Sequence, residues 1–170
     1  MNRHMHGFTL MELMVVIAIA GILMGVAIPS FQTILENSAR REASTSLYSA
    51  FNRARSEAIA RNTPVEVCAR DLTQTTPTCA SSGGNWIQGW IVYVPVNGAT
   101  PMQILQVHDP ISKNFSLGSG SVNPVQFLGN GRPLAALTFT LCRVPSDGKV
   151  RQIILSRSGH ASLQESGTCT

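Results

Sequence analysis

Gly7-Phe8-Thr9-Leu10-Met11-Glu12, followed by an apolar run that reaches Ile28-Pro29, is the stretch on which the fold turns. Leu13 to Ile28 is sixteen residues without one charged or strongly polar side chain. Adding Phe8 to Glu12 gives 21 residues, about the ~20 that a helix needs to cross a ~30 Å hydrocarbon core. Residues 8–28 therefore read as a membrane-spanning helix. Its single carboxylate, Glu12, costs about 2.5–3.5 kcal/mol at mid-bilayer and less toward the end where it lies. An acid inside such a helix marks function, and a cationic partner should exist.

Residues 1–7 form a short polar leader with Arg3, His4 and His6. A cut after Gly7 leaves Phe8 with a free α-amino group four residues before Glu12. Two other readings use the same residues. Arg3 and the apolar run could be an ordinary secretory signal with Gly25-Val26-Ala27 as its cleavage site, but the run exceeds the usual 7–15 residues. A plain anchor is the second, and neither accounts for Glu12. Gly21 and Gly25 have GxxxG spacing, which is common in spanning helices and is given no separate role.

The arrangement of Gly7, Phe8, Glu12 and Pro29 resembles the class III signal of type IV pilins and type II secretion pseudopilins. The resemblance implies cleavage between Gly7 and Phe8 by a prepilin peptidase and N-methylation of Phe8. It also implies that Glu12 pairs with the amine of a neighbouring Phe8 when subunits stack, which would make a buried carboxylate tolerable.

Beyond Pro29 the helical pattern resumes over residues 29–63. Phe31, Leu35, Ala39, Ala43, Leu47, Phe51, Ala54 and Ala58 recur at three- to four-residue spacing and form an apolar stripe. Glu36, Arg40, Arg41, Glu42, Arg53, Arg55, Glu57 and Arg61 lie on the other faces and read as a solvated surface. Glu36–Arg40, Arg53–Glu57 and Glu57–Arg61 fall at i,i+4, each adding about 0.2–0.5 kcal/mol. Asn62 and Pro64 end the run, and Pro29 bends or interrupts it.

Residues 64–170 read as a strand-rich globular domain. Short β-branched or aromatic runs span 65–69, 89–96, 102–108, 125–128, 137–143, 149–157 and 160–164, bounded by Gly, Pro, Asn and Asp. Pro145-Ser146-Asp147-Gly148 marks a hairpin. No strand alternates with a helix, so a parallel α/β sheet is excluded. The fold class is α+β, a long N-terminal helix packed on antiparallel sheet.

Four cysteines, Cys68, Cys79, Cys142 and Cys169, follow the apolar segment, on the side that is oxidising in an exported protein. Four allow three pairings. Cys68 and Cys79 enclose ten residues rich in Thr and Pro and read as a stapled loop. Cys142 and Cys169 would then tie the tail to a strand. No cysteine or histidine pair has zinc-ligand spacing, and neither metal nor cofactor is expected. No nucleophile elbow, phosphate-cradling loop or HExxH occurs, so catalysis is not expected either. His108-Asp109-Pro110 reads as a turn, and Trp86, Trp90 and Tyr93 as sheet residues.

Val67-Cys68, Gly89-Trp90-Ile91-Val92, Phe139-Thr140-Leu141-Cys142 and the segment Ile153 to Gly159 resemble the FimT/FimU/GspH group of minor pilins and pseudopilins. The paired cysteines look more like minor pilins of type IV pili than like GspH of type II secretion. The resemblance implies other pilins or pseudopilins as partners. It also implies a single-pass inner-membrane protein with a periplasmic domain, which moves to a pilus or pseudopilus on assembly. DNA-binding members of the FimT group carry Gly-Arg-x-Arg near the C-terminus, where this chain reads Gly159-His160-Ala161-Ser162. Lys149, Arg151 and Arg157 remain as candidate phosphate contacts. The net charge of +4 is concentrated there: residues 132–170 sum to +3 and residues 64–131 to −1. Strand alternation puts the three on one nominal face, shared with Ile153 and Leu155. Two or three cations imply only weak, salt-sensitive binding of double-stranded DNA in natural transformation.

Overall fold

The computed structural model describes residues 9–80, 83–96, 102–118 and 122–169, without the side chains of 26–30. A single helix, α1 (Leu10–Arg61), carries the first third of the chain. Its backbone stays helical through Pro29, so of the two expected outcomes, a bend or an interruption, the interruption is not seen. Proline removes one i→i−4 bond, and the intact turns on both sides hold the helix. The chain divides into two units with the boundary after Ser38. That boundary falls inside α1, so the helix from Ala39 onward belongs to the same unit as the strands.

In the first unit the large apolar side chains among the described residues are exposed. Leu10, Leu13, Ile17, Ile22, Leu23, Phe31 and Leu35 are all exposed, Ile22 at 72%. Phe31 and Leu35 thus stand apart from the buried part of the stripe they were expected to share. Among the described residues no helix is long and apolar enough to cross a membrane. The stretch up to the gap in side-chain description, Leu10–Gly25, is sixteen residues long.

The second unit wraps two antiparallel sheets around the rest of α1. The strands are β1 (Val65–Asp71), β2 (Thr78–Cys79), β3 (Trp90–Val94), β4 (Gln103–His108), β5 (Phe115–Gly118), β6 (Val125–Phe127), β7 (Leu137–Arg143), β8 (Arg151–Leu155) and β9 (Ala161–Gln164). The first sheet runs β2-β1-β3-β4, with β6 also paired to β1; the second runs β5-β7-β8-β9. One core lies between Ala43, Leu47, Ala50, Phe51, Ala54 and Ala58 of α1 and the inward rows of both sheets. Phe51 packs 5.1 Å from Phe139, whose ring meets Trp86 edge-on at 4.8 Å. Rings at such spacings contribute about 0.5–1.5 kcal/mol beyond the area they bury.

On the outward face of the first sheet, Glu66, Tyr93 and Gln126 form one row across β1, β3 and β6. Glu66 is buried, accepting from the Tyr93 hydroxyl and, at 2.5 Å, from Gln126 Nε2. Burial first, then the Glu66 hydrogen bond and charge, push the Tyr93 hydroxyl well above its ordinary range. A buried carboxylate with both oxygens satisfied is a structural feature, and it pins three strands in register.

Candidate functional site

Gly7 and Phe8, the expected cleavage and methylation positions, lie outside the described residues. Glu12 occupies the first turn of α1. Its backbone N–H donates to Thr9 Oγ1 at 3.2 Å, and Leu13 N–H donates to the Thr9 carbonyl. Thr9 is thus the N-cap and Glu12 the third helical residue, the Thr-x-x-Glu spacing of a capping box. That signal stands in the sequence and was not used above. It gives Glu12 a local role, since a carboxylate in a first turn also complements the helix dipole.

The three candidate cations at the other end of the chain are not gathered. β8 is Arg151–Leu155, shorter than the expected 149–157, so Lys149 lies in the loop before it and Arg157 in the turn after it. Lys149 is exposed, and its backbone N–H donates to Asp147 Oδ1 at 3.1 Å. Arg151 shares the inward face of β8 with Ile153 and Leu155. Its Nε and Nη2 donate to Glu165 Oε1 at 3.1 and 2.5 Å, and its Nη1 to Ser44 Oγ at 2.9 Å. The Arg151 side chain is only 18% exposed, so its guanidinium serves the protein's own tail. Arg157 is exposed, and its carbonyl accepts from Arg132 Nε at 3.3 Å.

A second ion pair beside this one corrects the reading of α1. Arg40 was expected on a solvated face, yet it is 4% exposed and its Nη2 lies 2.5 Å from Asp147 Oδ2. Its guanidinium carbon sits 5.8 Å from the centre of the Phe115 ring. Arg40 precedes Leu47 by seven residues, two helical turns, which places both on the buried stripe. That spacing was the available signal. Arg40 and Arg151 therefore tie the β7–β8 loop and the segment after β9 to α1. The segment after β9 is also held covalently, with Cys142–Cys169 bonded at 2.08 Å, while Cys68–Cys79, at 1.99 Å, joins β1 to β2.

The remaining candidates have structural partners. Trp90 stacks on His108 at 3.9 Å, and His108 Nε2 lies 3.5 Å from Glu42 Oε1. Trp86 is buried in the core. Among the described residues no group of His, Cys, Asp and Glu could hold a metal ion.

The sequence profile of the type II transport protein GspH family matches residues 43–159, and that of the prokaryotic N-terminal methylation motif matches residues 2–28. A probable minor fimbrial protein of Dichelobacter nodosus is 28% identical over 138 residues, 78% of this chain and 80% of its own. The type IV minor pilin FimU of Pseudomonas aeruginosa superposes with a TM-score of 0.63 at 18% identity, over 81% of this chain and 99% of its own. The minor pseudopilin EpsH of the type 2 secretion system of Vibrio cholerae gives 0.53 at 12% identity, over 74% and 95%. These two share the fold: a long N-terminal helix on antiparallel sheet. With the profile covering most of the strand-bearing unit and the methylation motif in front of it, the chain belongs to the type II transport protein GspH family of minor pilins and pseudopilins, structural filament subunits rather than enzymes.

Proposed function

We propose that the chain is a minor pilin of a type IV pilus that helps prime or assemble the fibre. In this account prepilin peptidase cuts after Gly7 and Phe8 is N-methylated. Residues 8–28 hold the subunit in the inner membrane with its folded part in the periplasm, until it joins other pilins. The carrying observation is the exposure of the large apolar side chains of α1 from Leu10 to Met24, and of Phe31, Ile34 and Leu35. Apolar side chains exposed all round a helix, as over Leu10 to Met24, require lipid or neighbouring helices as their surroundings. Both are available to a filament subunit. The two disulfides, with the FimU fold likeness, support a type IV pilus over a GspH-type pseudopilus of type II secretion.

Glu12 is the register-setting residue in this account, its carboxylate meeting a neighbour's N-terminal amine. Glu12→Ala should insert into the membrane normally, because it removes a polar group from an apolar helix. It should then be lost from filaments sheared from the cell surface. Normal recovery of the variant in that fraction would remove Glu12 from the assembly mechanism. Wild-type chain that never leaves the envelope fraction would favour the secretion pseudopilus.

Double-stranded DNA enters this proposal only as a weak, sequence-independent partner. Arg151 is held by Glu165 and Ser44, which leaves Lys149 and Arg157. Two neutralised phosphates give low affinity that falls steeply with salt.

A further inference from the structure

Arg157 belongs to a different grouping from the one its sequence neighbours suggest. Gly131, at φ +76°, and Gly159, at φ +81°, bring the β6–β7 loop and the β8–β9 turn into backbone contact. A Cβ on Gly159 would collide with the Gly131 carbonyl oxygen. Only glycine allows both the positive φ and that approach. The crossing rests on α1: a Cβ on Gly131 would lie 2.6 Å from Ile59 Cδ1 and 3.4 Å from Arg55 Cγ, and one on Gly159 would lie 3.1 Å from Arg55 Nε. Arg55, Arg132 and Arg157 are thereby collected from three separate elements. Arg132 Nε donates to the Arg157 carbonyl, Arg55 Nε is buried without a partner, and none of the three pairs with a carboxylate among the described residues.

Two large exposed apolar side chains belong to the same segments, Ile59 one turn beyond Arg55 on α1 and Leu134 in the loop that carries Arg132. Leu134, two residues beyond Arg132, is 70% exposed, and Ile59 is 51% exposed. Exposed arginine interleaved with exposed aliphatic side chains is the composition of a protein-binding surface, where arginine supplies bidentate carboxylate contacts and the aliphatics supply desolvation. Nucleic-acid interfaces are more polar and carry their cations along a track.

We propose that Arg55, Ile59, Arg132, Leu134 and Arg157 form a docking surface for an acidic segment, interspersed with apolar residues, of another subunit of the filament. The inference rests on the filament-subunit reading above and adds a lateral contact of the folded unit to the packing of α1. Charge complementarity selects the partner: the guanidinium groups of Arg55 and Arg132, brought beside the Arg157–Gly159 turn and paired with no carboxylate among the described residues, repel a basic surface and favour an acidic one.

The test uses the full chain in its native host with a photoreactive p-benzoylphenylalanine at Leu134, and a control carrying it at exposed Leu72. Irradiation should join Leu134→p-benzoylphenylalanine to a pilin-type subunit through a peptide containing Asp or Glu. Reversing Arg132→Glu together with Arg157→Glu should lower that yield about tenfold, the loss of roughly 1.4 kcal/mol. Both side chains are exposed, so the melting temperature should hold; if it falls, Arg132→Gln with Arg157→Gln replaces them. An undiminished yield overturns the surface, as does a crosslinked peptide without acids or no crosslink from a chain that enters filaments. Duplex DNA held by the detergent-solubilised chain at physiological salt, and released by the same reversals, would overturn it in favour of nucleic acid. Absence of the wild-type chain from filaments is read independently in the sheared fraction and would remove the filament reading first.

Discussion

Arg40 is placed where its charge needs Asp147, and the two were read apart. Helical i,i+4 spacing sees only local neighbours, and it offered Glu36; Asp147 lies 107 residues further along the chain. Arg40→Ala should destabilise the purified chain by about 2 kcal/mol in urea unfolding. That is below the ~3–5 kcal/mol for a fully buried pair, because the Asp147 side chain, 23% exposed, can be hydrated again. Arg40→Met, which keeps the volume on Phe115, should cost less than half as much, and equal losses would assign the effect to packing alone. Acid should act on the same contacts. Burial raises the Asp147 carboxyl, but the Arg40 hydrogen bond, the Lys149 backbone N–H and the Arg40 charge together outweigh it and hold it below the ordinary range; the Arg151 hydrogen bond and charge lower Glu165. Depressed folded-state values mean that this stability is complete above about pH 4–5 and is lost as pH falls through the folded values. Melting temperatures should be level from pH 7 to 5 and fall below about pH 4, with a shallower fall in Arg40→Met/Arg151→Met. An unchanged slope in that double variant would place the acid sensitivity elsewhere.

At the scale of elements, legibility followed periodicity. β7 was read to the residue because Leu137, Phe139 and Leu141 alternate with threonines and arginine and cysteine close the run. β8 was read too long, since Lys149 and Arg157 continue its alternation while the backbone has already turned. β2 and β5 were missed: two residues have no period, and Phe115-Ser116-Leu117-Gly118 runs directly into Ser119-Gly120-Ser121, which reads as loop. The 3₁₀ turn Trp86–Gln88 is likewise too short to register. Phe139→Ala should cost about 3–5 kcal/mol, since the ring is fully buried between Phe51 and Trp86. Less than 1 kcal/mol would mean that the α1–sheet core is not the main source of stability. Cys142 and Cys169 close a separation of 27 residues against 11 for Cys68 and Cys79. Cys142→Ser with Cys169→Ser should lower stability by about 3.5 kcal/mol by chain entropy. Faster amide exchange after Gln164 in that variant, with β1 to β4 unchanged, would localise the effect to the tail.

For the molecule as a whole, the α+β class was legible because the change from period 3.6 to period 2 occurs once, at Asn62-Thr63-Pro64. The division of the chain after Ser38 was not, because the apolar stripe runs on across it without a change in spacing. Composition also hid the two faces of the strand-bearing unit: the +3 of residues 132–170 is split between ion pairs that hold the tail and the unpaired arginines beside Gly131 and Gly159. In the proposed function the N-terminal helix is released for display by the cut after Gly7. Intact-mass analysis of the chain purified from its native host tests it most directly. A mass beginning at Phe8 with one added methyl group is the expected result; a mass beginning at Ile28, or at an uncut Met1, would contradict the account.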